Sequence, residues 1–114
     1  MIILGISPIG HDTAATITVD GDIVAACEQE RYSKDKHSSL FPIDAIHDCL
    51  KIANLSINQI DMIAVSWDHM YMLNEYYLKL AIKNKSRLGF LIKDIDRVKE
   101  LFNLEDVIKK KLKF

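Results

Sequence analysis

The segment TAATITVDGDIVAACEQE, residues 13–30, constrains the fold more than any other part of the chain. Its first half alternates, with Ala15, Ile17 and Val19 on one face and Thr16 and Thr18 on the other. That period of two is the mark of a half-buried strand. Asp20-Gly21-Asp22 then supplies a tight turn, because glycine accepts the positive φ that a two-residue hairpin requires. Residues 23–30 read as the returning strand. Upstream, the apolar run IILGIS (residues 2–7) has strand length and is broken by Pro8 and Gly10. Strands joined by connections this short form an antiparallel meander.

The next element changes the topology. FPIDAIHDCLKIAN reads as a helix with Pro42 in its first turn, where a missing N–H does no harm. Ile43, Ile46, Leu50 and Ala53 have the spacing of one buried face. MIAVSW (residues 62–67) is a fourth apolar strand, and a strand–helix–strand crossover places it parallel to a neighbour. From His69 the period becomes helical. Leu73, Tyr76, Tyr77, Leu80 and Ala81 mark one stripe, and Leu88, Leu91, Ile92, Ile95, Val98 and Phe102 a second. Asn103 is placed to cap a further helix, with Asp106 answering it. The expected fold class is α/β: a βββαβ half-sheet over residues 1–67, followed by a helical segment over residues 68–114 of the same domain. The last helix runs into Leu112-Lys113-Phe114 without a cap, which reads as a truncated domain.

Charge excludes some partners. With 15 basic and 16 acidic residues the net charge is −1, so bulk electrostatics favour neither nucleic acid nor membrane. No secretory leader is apparent and no apolar run approaches the roughly 18 residues of a membrane span, so a cytoplasmic location is expected. Cys27 and Cys49 fall in a strand and a helix at no metal-ligand spacing, and read as buried, reduced thiols.

The ionisable groups collect at strand ends. His11-Asp12 follows the first strand and reads either as a turn with Asp12 bonding its own backbone, or as a catalytic pair. ERYSKDKHSSLF (residues 30–41) brings Arg31, Lys34, Lys36 and His37 to the end of the third strand. These read either as a solvated loop or as an anion site close to a helix N-terminus. His69 lacks a second ligand at helical spacing, His47 lies off the apolar stripe, and Lys109-Lys110-Lys111 suits the end of a helix. There is no glycine-rich phosphate loop, no G-x-S-x-G and no C-x-x-C.

Taken together, ILGIS, GHDTAATITVDGDIVAACEQERYSKDKH and FPIDAI resemble the opening of the NodU/CmcH-type carbamoyltransferases. Glu28, Glu30, Arg31, Tyr32, Ser33, Lys34, Lys36, His37, Phe41, Pro42, Ala45 and Ile46 fall on the family pattern, with Thr13 where serine is usual. DMIAVSW fits the family's next strand, and beyond His69 the likeness is positional. The resemblance implies the N-terminal part of an actin/hexokinase-like, ribonuclease H-like enzyme. In such enzymes a C-terminal domain converts carbamoyl phosphate and ATP to carbamoyl-adenylate. The N-terminal domain then passes the carbamoyl group to the hydroxyl of a small acceptor, sugar-like or antibiotic-like. It further implies His11 and Asp12 as catalytic residues, and Lys36, His37 and Arg31 as ligands of the carbamoyl-adenylate. A divalent metal ion is implied for the full-length enzyme, but its H-x-x-x-H segment is not present, so no metal site is expected within this chain. The chain alone is then expected to be inactive, to need the remainder of its own polypeptide, and to self-associate through its helical half. Two other readings stay open: a sugar-kinase or ATPase-like lobe, and a non-catalytic interaction module.

Overall fold

The structure, a computed structural model, describes residues 1–113. It contains two compact units, Met1–Trp67 and Asp68–Lys113.

The first unit is the expected mixed sheet. Strands β1 (Ile2–Ser7), β2 (Ala14–Val19), β3 (Asp22–Glu28) and β4 (Met62–Val65) lie in the order β3-β2-β1-β4. The β1–β2 and β2–β3 pairs are antiparallel and β1–β4 is parallel, with Gly5 opposite Ala64. Val19 pairs with Asp22, so the hairpin loop is Asp20-Gly21 alone, with φ of 51° and 95°. Positive φ at both central residues makes this the turn whose twist matches the flanking strands. Ile17 pairs with Ala25 but Thr18 with Ile23, which leaves Val24 as the extra residue of a β-bulge.

One helix covers one face of this sheet. Helix α2 (Ile43–Ala53) packs on β2 and β3. Leu4, Ile6, Ala15, Ile17 and Ala25 from the strands meet Ala45, Ile46, Cys49 and Leu50 from α2, all buried. The helical face is therefore rotated from the expected stripe, because Ile43 and Ala53 at its two ends are only half-buried. Asn54 ends α2 with φ 55°, its N–H donating to the Leu50 and Lys51 carbonyls. A single 3-10 turn, Ile57–Gln59, leads into β4.

The third strand stops at Glu28, two residues short of the expected span. At Gln29 the backbone turns helical and α1 (Glu30–Ser33) follows, a single turn where a loop was expected. The turn is set by tertiary bonds. The Gln29 N–H donates to the Thr13 carbonyl at 2.9 Å, and its side chain, 2% exposed, reaches α2.

The second unit is helical: α3 (His69–Met72), a π-helical stretch (Leu73–Leu78), α4 (Lys79–Lys83), α5 (Lys85–Lys93), α6 (Ile95–Phe102) and α7 (Leu104–Leu112). Asp68 caps α3, accepting from the Met70 and Tyr71 N–H groups, and Asn84 caps α5. Leu73, Leu101, Leu104, Ile108 and Leu112 are buried. The second expected stripe does not form as drawn. Asp94 interrupts it and resets the helical phase, so Leu101 is buried whereas Phe102 is 63% exposed. Asn103 does not cap α7 through its side chain, which instead donates to the Lys99 carbonyl of α6. Among the described residues no helix is long and apolar enough to cross a membrane.

Candidate functional site

Thr13 joins two segments that lie far apart in sequence. It sits just before β2, fully buried, and its N–H donates to the Ser38 carbonyl at 3.2 Å. Its hydroxyl donates to the Leu40 carbonyl at 2.6 Å, and its own carbonyl accepts from Gln29. Ser38 is 1% exposed. A hydroxyl at this position ties the β1–β2 loop to the segment between β3 and α2, which is a physical reason for a threonine or serine there.

The consequence is a contact between Asp12 and His37. Nδ1 of His37 lies 2.8 Å from Oδ1 of Asp12, and the His37 N–H donates to a Glu30 carboxylate oxygen at 2.9 Å. Asp12 and His37 both occupy the left-handed backbone region, with φ of 58° and 56°, which Asp and His enter more readily than most residues. Ligand atoms of Asp12, Glu30 and His37 all lie within 4.8 Å of one another, so among the described residues these three form a group that could hold a metal ion. Spacing alone gave no sign of such a group. As the residues stand, His37 already satisfies both carboxylates with its own donors.

The hydrogen bond from Asp12, then its negative charge, raises the His37 pKa above the ordinary histidine value. A raised folded-state pKa means the pair stabilises the fold fully below pH ~6.5, and that contribution fades as pH rises through the folded value. Both side chains are exposed, so the effect on stability is small. The titration itself is the useful readout. In a proton NMR titration the His37 imidazole should titrate above the ordinary histidine value, and Asp12→Asn should bring it back down. A His37 curve that Asp12→Asn leaves unmoved would contradict the pairing.

The remaining predicted site residues are distributed differently from expectation. His11 is exposed, and no hydrogen bond to its side chain or to that of Lys36 occurs among the described residues. The Asp12 carboxylate bonds His37 rather than its neighbour His11. Arg31 lines an open cavity of about 610 Å³ across the sheet face opposite α2. That cavity lies at the C-terminal ends of β1 and β4, with Gly5, Ser7, Thr16, Glu28 and Ser66 also in its wall. Ligands of open α/β sheets bind outside the carboxyl ends of strands, and the His11-Asp12 loop leaves β1 at this end. Gly5 is required there, since a Cβ would come within 2.7 Å of the Thr16 methyl. Outside this region, His47 is exposed, and the aspartate beside His69 is occupied as a helix cap.

Thr13, Ser38 and Glu30 carry no local signal that links them to Asp12. Comparison with known proteins supplies the wider context. The chain is 36% identical over 112 residues to an uncharacterized protein, sll1178, of Synechocystis sp., covering 96% of this chain and 18% of that protein. It is 43% identical over 54 residues to nodulation protein NolNO of Sinorhizobium fredii, covering 47% of this chain and 8% of that one. An uncharacterized 19.2 kDa protein of Rhizobium etli is 43% identical over 79 residues, which is 69% of this chain and 42% of the relative. The chain thus spans less than half the length of each of these relatives. Residues 2–105, covering the whole sheet unit and most of the helical one, match the carbamoyltransferase N-terminus family, and the chain belongs to that family.

Proposed function

We propose that this chain is the acceptor-side lobe of an O-carbamoyltransferase. In this reading carbamoyl-adenylate, made from carbamoyl phosphate and ATP elsewhere in the whole protein, gives up its carbamoyl group here to a hydroxyl of a small acceptor, sugar-like or antibiotic-like. The single observation that carries the reading is the His37–Asp12 pair, which fixes an electropositive imidazole beside the loop that holds His11.

The chemistry divides among the side chains as follows. His11, whose side chain has no hydrogen-bond partner among the described residues, takes the proton from the acceptor hydroxyl as that oxygen attacks the carbamoyl carbon. Negative charge develops on the carbamoyl oxygen, and the Lys36 ammonium is the mobile cation close in sequence that can meet it. His37, kept protonated to higher pH by Asp12, faces the phosphate oxygens of the leaving group. The bond from acceptor oxygen to carbon forms, the bond from carbon to the adenylate oxygen breaks, and AMP departs. Arg31, over the sheet face, is placed for a more distant part of the ligand.

Carbamoyl phosphate carries the carbamoyl and phosphate groups of carbamoyl-adenylate, and as a stand-in for it tests binding to the chain without requiring turnover. Titrated into the labelled protein at millimolar concentration, it should shift the imidazole signals of both His11 and His37. Lys36→Ala and His37→Gln, both exposed positions, should each weaken the response about tenfold, the effect of roughly 1.4 kcal/mol in one charge-assisted contact. Unshifted imidazole signals, or shifts indifferent to both substitutions, would remove the basis for the assignment.

A further inference from the structure

The two cysteines, separated in sequence, meet in the fold. Cys49 on α2 is fully buried, and its thiol donates to the Ala15 carbonyl of β2 at 3.4 Å. Ala15 is the register partner of Cys27 on β3, and paired residues of neighbouring strands present their side chains to the same face. Ala15 and Ala25 are both buried on the face that α2 covers, and Cys27, two residues after Ala25, shares that face. Both cysteines therefore lie beside Ala15, one across the β2–β3 pair and the other above it on α2. Burial first, and then Cys27, push the Cys49 thiol up to about 12. Tyr32 closes the group from α1, its phenol donating to an Asp48 carboxylate oxygen at 2.6 Å.

We propose that Cys27 and Cys49 are a redox modification site, closing to a reversible disulfide that staples the edge strand β3 to α2. The roles follow from access. Cys27 is half-exposed on the outermost strand of the sheet, so a peroxide reaches it, whereas Cys49 is sealed. The Cys27 thiolate attacks one oxygen of hydrogen peroxide, the O–O bond breaks, and with one proton the products are Cys27 sulfenic acid and water. The Cys49 sulfur then attacks the sulfenic sulfur, its proton leaves with the hydroxyl as a second water, and the disulfide forms. Peroxide is the oxidant and the two thiols together are the reductant. A dithiol reverses the reaction by exchange.

The location gives the modification a consequence. Cys27 and Cys49 stand at the two roots of the segment that carries Arg31, Lys36 and His37. A bridge there pins both ends of that segment while leaving Asp12 and His37 themselves untouched.

Treatment of the folded chain with hydrogen peroxide, followed by alkylation and intact mass measurement, tests the proposal. The expected product is a monomer lighter by two hydrogens with neither thiol alkylatable, reverting fully with dithiothreitol. Its unfolding midpoint should lie about 5 °C or more above that of the reduced chain, since the bridge closes a loop of helix-forming length or longer. Cys27→Ser, a substitution at the more exposed position, should abolish the lighter monomer and leave one buried thiol. Cys49→Ala, checked by circular dichroism for a retained fold, should instead let Cys27 advance to sulfinic acid. Two thiols that stay alkylatable, a product cross-linked only between chains, or over-oxidation of Cys27 in the unaltered protein would each overturn the proposal. None of these outcomes depends on carbamoyl transfer, so this test and that of carbamoyl phosphate binding fail separately.

Discussion

Replacing Ile46 with alanine lowers the stability of the sheet unit by roughly 2–5 kcal/mol, the usual cost of removing a large aliphatic side chain from a packed core. Ile46 is fully buried and sits at the centre of the α2 face that meets β2 and β3. The same core holds the small Ala15, Ala25 and Ala45 beside Leu4, Ile17 and Leu50, so the cost within that range depends on how far the longer side chains close the gap. Net stabilities of small domains are about 5–15 kcal/mol, so the loss is a large share of the total. Urea unfolding followed through Trp67, the single tryptophan, reports on this unit, while backbone circular dichroism also sees the helices of the second. A midpoint within experimental error of the parent would mean that α2 is not packed as described.

The second large effect is expected at Gln29, and it acts through hydrogen bonds. Helix α2 begins at Pro42, which offers no side-chain cap. Gln29, 2% exposed at the end of β3, does that work from another element. Its side-chain carbonyl accepts the Ala45 N–H at 3.2 Å, and its amide donates to Asp44 at 2.7 Å. Ala45 is fully buried, so its N–H has no access to water if Gln29 is lost. Gln29→Leu keeps the bulk and removes both bonds, and should cost about 1–3 kcal/mol, the penalty of an unsatisfied buried donor. Amide hydrogen exchange locates the effect: the Ala45 N–H should exchange much faster while the β1–β2 ladder is less affected. Unchanged exchange at Ala45 in the leucine variant would show that the cap is redundant.

The elements of the sheet unit were legible because their signals are local. Alternation over residues 14–19, the Asp20-Gly21 turn and the helical spacing after Pro42 each arise within a few residues, and steric and turn preferences act on that scale. The parallel placement of β4 also followed, since a crossover containing a helix leaves the chain running in its original direction. The family pattern was legible for the same reason, being a contiguous run of residue types.

Pairings between distant residues were not legible. His11 and Asp12 are adjacent, yet the Asp12 carboxylate serves His37, because Thr13 binds the carbonyls of Ser38 and Leu40 and draws that segment in. The hairpin's return reads as a strand on to Glu30, but Gln29 turns inward to cap α2, and one helical turn replaces the strand's end. In the second unit the apolar stripe lost its phase at Asp94, which decided that Leu101 and not Phe102 is buried. Cys27 and Cys49 came together through the register of β3 on β2 and the rotation of α2 above them. Residue type and spacing determined which strands and helices this chain forms. Which side chains meet was decided by strand register, helix rotation and the burial of polar groups that had to find partners across the fold.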